Sequence, residues 1–415
     1  MNIVREDALI IIEKSIKAVL PEAAVIKALT NRVYSGKVVV ITIGKAAWNM
    51  ASATKKTLGD KISMGLVVTK YEHSKGTIDG FEIIEAGHPI PDINSIKGAS
   101  RAIELVSNLT ELDHVIFLIS GGGSALFEKP MKGVELEDIM DITNQLLSCG
   151  ADIVEINTIR KHLSAVKGGR FALECGKAKI YSIILSDVIG DRLDSIASGP
   201  AYPDSSTSQE ALRIVDKYKL QISEDLIKVL NMETPKEVDN CETIITGSVS
   251  ALCEAATRTS EKLGYNSMFI SSTLDCEAKA AGSFLASIAR EIKQGNSSIK
   301  PPCAIIAGGE TIVRITGDGK GGRNQELALS AAMGIEGLED VIIFSVGSDG
   351  TDGPTDAAGG IVDGETADKM RAHDILPEVY LDNNDSYNAL KASGDLIITG
   401  STGTNVNDLI VLLCK

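Results

Sequence analysis

The sequence predicts an α/β fold with largely parallel sheets, and three observations carry that prediction. Short runs such as VVVITI at 38–43 and HVIFLI at 114–119 are continuously apolar, the pattern of strands covered on both faces. Helix-period segments separate these runs almost throughout, and strand–helix alternation is the signature of parallel βαβ construction. The chain has 415 residues, room for two or three domains at roughly 150 residues each.

Taken in order, MNIVREDALIIIEKS reads as an amphipathic helix. Arg5, Glu6 and Asp7 precede a short apolar patch that runs into Glu13, which is not a signal-peptide pattern. Strands are expected at Val38–Ile43, Met64–Thr69, His114–Ile119, Ile180–Leu185, Thr243–Thr246, Met268–Ser271, Cys303–Ala307 and Val341–Val346. Helices are expected at Ala46–Leu58, Asp92–Leu109, Leu136–Cys149, Ser248–Leu263, Glu277–Lys293 and Asn324–Ala332. The stretch AIIAGGETIVRIT resembles a hairpin. The polar segment NMETPKEVDN, with Pro235, sets a boundary near 235 between a domain of residues 1–235 and one of 236–415. Either sheet could take the final strand, Leu409–Leu413.

Composition removes several classes of function. Lys plus Arg number 41 against 56 Asp plus Glu, a net charge of -15 that argues against a nucleic-acid partner. It leaves room for a small phosphate pocket, which needs only a few local cations. The seven cysteines form no CxxC and no zinc spacing, so reduced thiols and a cytoplasmic location are expected. No apolar run approaches the ~18 residues of a membrane span. With 39 glycines and only 11 prolines, the chain is richer in glycine than the usual ~7% and poorer in proline than the usual ~5%. Functional loops are the expected reason.

Ligands of α/β sheets sit outside the carboxyl ends of the strands, so the residues that follow each strand carry the most information. Lys45 follows Ile43-Gly44 at a helix start, a cation beside backbone N–H groups suited to anions. Ser120, Gly121, Gly122, Gly123 and Ser124 follow the next strand, and three glycines let backbone amides crowd an anion. Asp187 and Asp191 fall in the loop after Leu185, where a carboxylate can orient a hydroxyl or hold Mg²⁺. Arg323 and Asn324 open a helix, a fixed cationic fork suited to phosphate or carboxylate. Asp349 and Asp352 lie in a glycine-rich loop and are read as substrate or Mg²⁺ contacts; the alternative for them is a run of Asx turns. His88, in EAGHPIPD, is a candidate for the same site. Gly317, Gly319 and Gly322 formally match a dinucleotide fingerprint. The acids about 20 positions on, Glu339 and Asp340, precede the next strand where a ribose-binding acid should follow it.

Read together, these segments resemble glycerate kinases of the MOFRL type. IGKAAW, EAGHPIPD, LISGGGSALFE, NTIRKHLSAVKGGR, ILSDVIGDRLDSIASGPAYPD, AGGETIVRITGDGKGGRNQELALSAA, SDGTDGPTDAAGGIVDG, NNDSYNAL and TGSTGTNVNDL occur in that order from about residue 40 to 410. Ser401 stands where that family's pattern has proline. The resemblance implies two unequal α/β domains, the larger Rossmann-like and N-terminal, with the active site in the cleft between them. It implies transfer of phosphate from ATP to D-glycerate, at the 2-hydroxyl, with Mg²⁺ or a similar cation. Lys45 and Arg323 are the two cations it carries over. In the mechanism built on it, Asp187 first and Asp191 second orient the hydroxyl, and Glu310 or Asp349 binds Mg²⁺. Two alternatives are a nicotinamide-dependent hydroxypyruvate reductase and a non-catalytic nucleotide- or sugar-acid-binding module. The residues do not specify the oligomeric state.

Overall fold

The computed structural model describes residues 3–415 except 187, 189 and 191. Two six-stranded sheets organise it. The first contains β1 (Val38–Ile43), β2 (Met64–Lys70), β3 (Phe81–Ala86), β4 (His114–Ile119), β5 (Lys179–Leu185) and β6 (Cys241–Gly247). The second contains β7 (Asn266–Leu274), β8 (Cys303–Gly309), β9 (Val341–Gly347), β10 (Gly359–Asp363), β11 (Leu396–Ile397) and β12 (Asp408–Cys414).

In the first sheet the order is β3-β2-β1-β4-β5-β6, and the β3–β2, β2–β1, β1–β4 and β4–β5 pairings are parallel. This is the order of a doubly wound sheet, in which the winding direction reverses between β1 and β4. Burial explains the unbroken apolar runs. Val39, Ile41 and Ile43 pack into one core with Phe117, Phe127 and Phe171, while Val38 and Val40 pack into another with Met50, Leu118 and Ile183. Successive side chains point to opposite faces, so both faces need apolar residues. β3 has no counterpart among the expected strands because it is an edge: its exposure pattern is mixed, and FEIIEA shows no unbroken apolar run.

The second sheet corrects the expectation of largely parallel strands. Its order is β11-β10-β9-β12-β8-β7, and β12 runs antiparallel to both β8 and β9. Among these pairs only β7–β8 is parallel. A buried strand reads as continuously apolar whatever its direction, so the sequence pattern was silent on orientation. β12 shows this well. Ile410, Leu412 and Cys414 enter one core with the helices Ala278–Lys293 and Arg323–Gly334, while Leu409, Val411 and Leu413 enter the other with Val249, Leu252 and Phe344. The strand that either sheet could have taken is central to the second. The expected hairpin is absent: beyond Gly309 the chain leaves the sheet, and Ile312 makes an isolated bridge with Glu277.

The chain divides into Pro21–Thr246, here the first unit, and Met1–Leu20 with Gly247–Lys415, the second. The expected division at 235 differs at both ends. The helix Ile3–Ala18 buries Val4, Ala8, Ile11 and Ile16 in the core of the second sheet, and Arg5 bridges Asp363 at 3.4 Å and Asp395 at 2.7 Å. A contiguous reading of the sequence has no means of assigning an N-terminal helix to a core built some 250 residues later.

Candidate active site

In the first unit the loops after β1 and β4 are tied together where the winding reverses. Lys45 N donates to Gly121 O at 2.9 Å, Ala46 N donates to Ser120 Oγ at 3.0 Å, and Ser120 Oγ donates to Ile43 O at 3.2 Å. Gly44, at φ 113, is required by this closeness, since a Cβ there would fall 2.3 Å from Ser120 Oγ. Ser120 is buried and acts as a tie between strands. Gly121, Gly122 and Gly123 form the turn into the short helix Gly123–Leu126, with Gly122 left-handed at φ 85.

Lys45 and His88 both rest against that turn. A Cβ on Gly122 would lie 2.9 Å from His88 Cδ2, 3.0 Å from His88 Nε2 and 3.4 Å from Lys45 Cε. Three strand ends, those of β1, β3 and β4, therefore deliver a lysine, an imidazole and a glycine turn to one place. Burial, then the charges of Lys45, Lys70 and His73, pull His88 down to about 4, so its ring is neutral at pH 7. Lys45 is half-buried and enters no ion pair among the described residues, while its carbonyl oxygen lies 3.1 Å from His73 Nδ1.

Ser124 holds a different arrangement. Its Oγ lies 2.9 Å from Ser198 Oγ, and Ser198 Oγ donates to Asn157 Oδ1 at 3.1 Å. Because Ser198 spends its one proton on Asn157, Ser124 is the donor to Ser198. Asp187 and Asp191 lie outside the described residues. Their neighbour Asp194 faces Arg192 at 3.2 Å and Lys161 at 3.6 Å.

In the second unit Arg323 opens the helix Arg323–Gly334 and is paired with two carboxylates. Its Nε donates to Asp408 Oδ2 at 2.6 Å, Nη2 to Asp408 Oδ1 at 3.2 Å and Nη1 to Glu310 Oε1 at 2.8 Å. Burial works against the guanidinium charge, but the hydrogen bond and charge of Asp408, with Glu310, hold it above the ordinary arginine value. Burial pushes Asp408 up to about 6 against the pull of Arg323, which leaves the pair ionised at pH 7. A bidentate fork of this kind fixes where the guanidinium points.

Asn324 and Asp352 lie together in the same unit. The Asp352 carboxylate accepts from Asn324 N at 3.2 Å, Gln325 N at 2.9 Å and Gln325 Nε2 at 2.9 Å, so it caps the helix. Burial raises Asp352 above the usual carboxylate range, opposed by these donors. Asn324 Oδ1 accepts from Ser345 Oγ at 2.5 Å. Asp349 is half-buried, and its Oδ1 accepts from Thr351 N at 3.0 Å, an Asx turn.

The formal dinucleotide fingerprint is a packing motif. A Cβ on Gly317 would meet Asn383 O at 2.4 Å, one on Gly319 would meet Asp385 Cβ at 2.4 Å, and one on Gly322 would meet Asp352 Cγ at 2.3 Å. The helix N-terminus that would face a pyrophosphate already holds the Asp352 carboxylate.

Four residues bonded to the candidates were not singled out from the sequence: Asp408, Arg160, Asn157 and Ser198. Asp408 begins β12 as the one acid in TNVNDLIVLLC, which is the signal that could have found it. Arg160 and Asn157 are one turn apart in NTIRKHL, within a block that carries the family resemblance, but neither follows a strand.

Two family models match the chain, one described as a domain of unknown function (DUF4147) over residues 7–231 and the other as the MOFRL family over residues 303–408. The D-glycerate 2-kinase of Thermotoga maritima is 56% identical over 404 residues, covering 97% of each chain. The glycerate 2-kinase of Pyrococcus horikoshii is 43% identical, covering 99% of this chain and 97% of its own. A crystal structure of the Thermotoga maritima glycerate kinase matches with a TM-score of 0.96 at 55% identity and covers 99% of each chain. With the sequence blocks, both family models and the whole-length match in agreement, this chain belongs to the glycerate 2-kinase family of the DUF4147/MOFRL type.

Proposed function

We propose that this protein is an ATP-dependent D-glycerate 2-kinase, a reading carried by the meeting of Lys45, His88 and the Gly121–Gly123 turn at the point of winding reversal. It is supported by the names of its relatives from Thermotoga maritima and Pyrococcus horikoshii. The Rossmann-like strand order of the first unit agrees with a nucleotide-binding role. A cytoplasmic location agrees with seven free thiols, and among the described residues no helix is long and apolar enough to cross a membrane.

In the reaction the glycerate hydroxyl oxygen attacks the γ-phosphorus, the bond from γ-phosphorus to the bridging oxygen breaks, and ADP leaves. The transition state is loose, so catalysis consists mainly of positioning and charge neutralisation. Lys45 neutralises the transferring phosphoryl, and the backbone amides of Gly121–Gly123 bind phosphate oxygens. Neutral His88 donates or accepts a single hydrogen bond without adding charge. Arg323, aimed by Asp408 and Glu310, holds the glycerate carboxylate or an equatorial phosphate oxygen. Asn324 contacts substrate beside it. Asp352 serves by capping the helix that presents both. Asp187, with Asp191 as second choice, orients the attacking hydroxyl, whose proton leaves as the new bond to phosphorus forms; this assignment rests on their place after Leu185 in the sequence.

Mg²⁺ suits the site as a companion of ATP. Among the described residues no group of three or more His, Cys, Asp or Glu side chains could hold a metal by themselves, and kinases commonly hold Mg²⁺ through one or two carboxylates plus substrate phosphates. Half-buried Asp349 fits that part, while Glu310 is engaged by Arg323. When bound, Mg²⁺ offsets negative charge on the β- and γ-phosphoryl oxygens.

Coupling the product to enolase, with and without phosphoglycerate mutase, tests the regiochemistry. Signal without the mutase is expected, and signal only with it would overturn the 2-kinase reading. Incubation with hydroxypyruvate and NADH or NADPH tests the reductase alternative, and no oxidation is expected.

A further inference from the structure

Arg160 sits on the helix Ile153–Leu163, and its Nη2 donates to the carbonyl oxygen of Ser124 at 2.9 Å. It forms no ion pair among the described residues. Among the described residues the one carboxylate whose charge bears on it, Glu128, is held by the fully buried Lys167 at 2.6 Å. The Nε of Arg160 is shielded from solvent and has no hydrogen-bond partner among the described residues, although the residue as a whole stays half-buried. A guanidinium drawn out of water without a counter-ion is costly, and buried charges are ordinarily paired. Lys161, next in the chain, follows that rule and is paired with Asp204 at 3.1 Å.

What Arg160 adjoins suggests its partner. Ser124 closes the glycine turn after β4, and its proton is already committed to Ser198. Ser198 and Ala197 hold the left-handed backbone at φ 59 and 50, an unfavourable conformation for residues with a Cβ. A Cβ on Gly123 would lie 2.8 Å from Ala197 Cβ, so this segment is pressed against the turn. The Ser124 end of the turn therefore offers an anion little from hydroxyl groups and, among the described residues, one uncompensated positive charge.

We infer that Arg160 is a further substrate-binding residue, whose missing counter-ion is an oxyanion of a substrate bound at the Ser120–Ser124 turn. Carboxylate and phosphoryl oxygens share the required chemistry, so the oxyanion belongs either to D-glycerate or to the nucleotide. The inference rests on the kinase reading proposed above.

The full-length protein and its Arg160→Met and Arg160→Lys variants decide it. The measurements are kcat and KM for each substrate by ADP release, and the thermal midpoint alone, with ADP, and with D-glycerate. In Arg160→Met the KM of one substrate is expected to rise on the order of tenfold or more, as for loss of a charged binding contact. The matching ligand should lose its stabilising shift, while the midpoint without ligand stays level or rises because an unpaired charge has gone. Arg160→Lys should recover part of the lost affinity, and it carries the kinetic test alone if Arg160→Met does not fold. A shift lost with ADP assigns the nucleotide; one lost with D-glycerate assigns the carboxylate. Unchanged KM values with both ligand shifts intact would overturn the inference, as would a lower unliganded midpoint with both KM values preserved. Absence of glycerate-dependent ADP release in the wild type would instead sink the kinase reading itself.

Discussion

Replacing Gly122 by alanine separates packing from chemistry at the turn that gathers Lys45 and His88. At φ 85 an L-residue pays roughly 1–2 kcal/mol for the left-handed backbone. The new methyl would also stand 2.9 Å from His88 Cδ2. Non-bonded carbons prefer about 3.5–4.0 Å, so ring or turn must retreat by roughly 0.6–1.1 Å. Such overpacking adds ~1–3 kcal/mol. A misplacement of about 1 Å at a reacting centre costs on the order of 10²-fold in rate. Gly133→Ala is the control. Its φ is 87 and nothing lies within 4 Å of a Cβ there, so it carries the backbone cost without the clash. Urea unfolding and glycerate-dependent ADP release should show both variants destabilised, Gly122→Ala more, with only Gly122→Ala losing turnover. If Gly122→Ala is the less stable of the two yet turns over like Gly133→Ala, the turn is a packing feature and the proposed site is wrong.

Three further outcomes are expected. Lys45→Ala and Arg323→Ala should each lower kcat by ~10²–10³-fold or more, as for removal of one charge-stabilising donor. The unfolding midpoint should stay close to wild type in Lys45→Ala but fall in Arg323→Ala, which leaves the buried Asp408 without its partner; near-normal turnover in either removes it from the mechanism. Asp352→Ala should lower stability in urea by ~1–3 kcal/mol through loss of a helix cap and orphaning of buried donors, and a change within error would contradict the capping role. His88 binds its proton only near pH 4 when folded but near 6.5 when unfolded, so protons favour the unfolded chain between those values and stability falls as pH drops from about 6.5 to 4. His88→Asn should show a shallower decline across that window, and an identical pH dependence would mean the imidazole is not held neutral.

The candidate site was legible wherever chemistry follows a strand directly. Lys45 after β1 and Ser120–Ser124 after β4 could be picked out because a parallel sheet presents its carboxyl ends on one side, and the apolar runs mark those ends to within a residue or two. Arg323 was legible for another reason, as a cation opening a helix-period segment. The partners were not. Asp408 is far from Arg323 in sequence, and only the antiparallel insertion of β12 between β8 and β9 brings its carboxylate to the guanidinium. Asp352 was read as a ligand contact, with an Asx turn as the alternative, whereas its oxygens accept from the amides of Asn324 and Gln325.

What this sequence determined by itself is therefore local: which segments are buried strands, which loops are glycine-rich, where a cation tops a strand, and which family those blocks resemble. Hydrophobic period and turn chemistry act between near neighbours, so they can be read in one dimension. Strand direction in the second sheet, the adoption of Ile3–Ala18 by a core formed mainly from Gly247–Lys415, and the use of each carboxylate were decided only by the tertiary structure. Each depends on contacts between residues far apart in the chain, and an apolar strand or a lone aspartate looks the same in sequence whichever partner it finally meets.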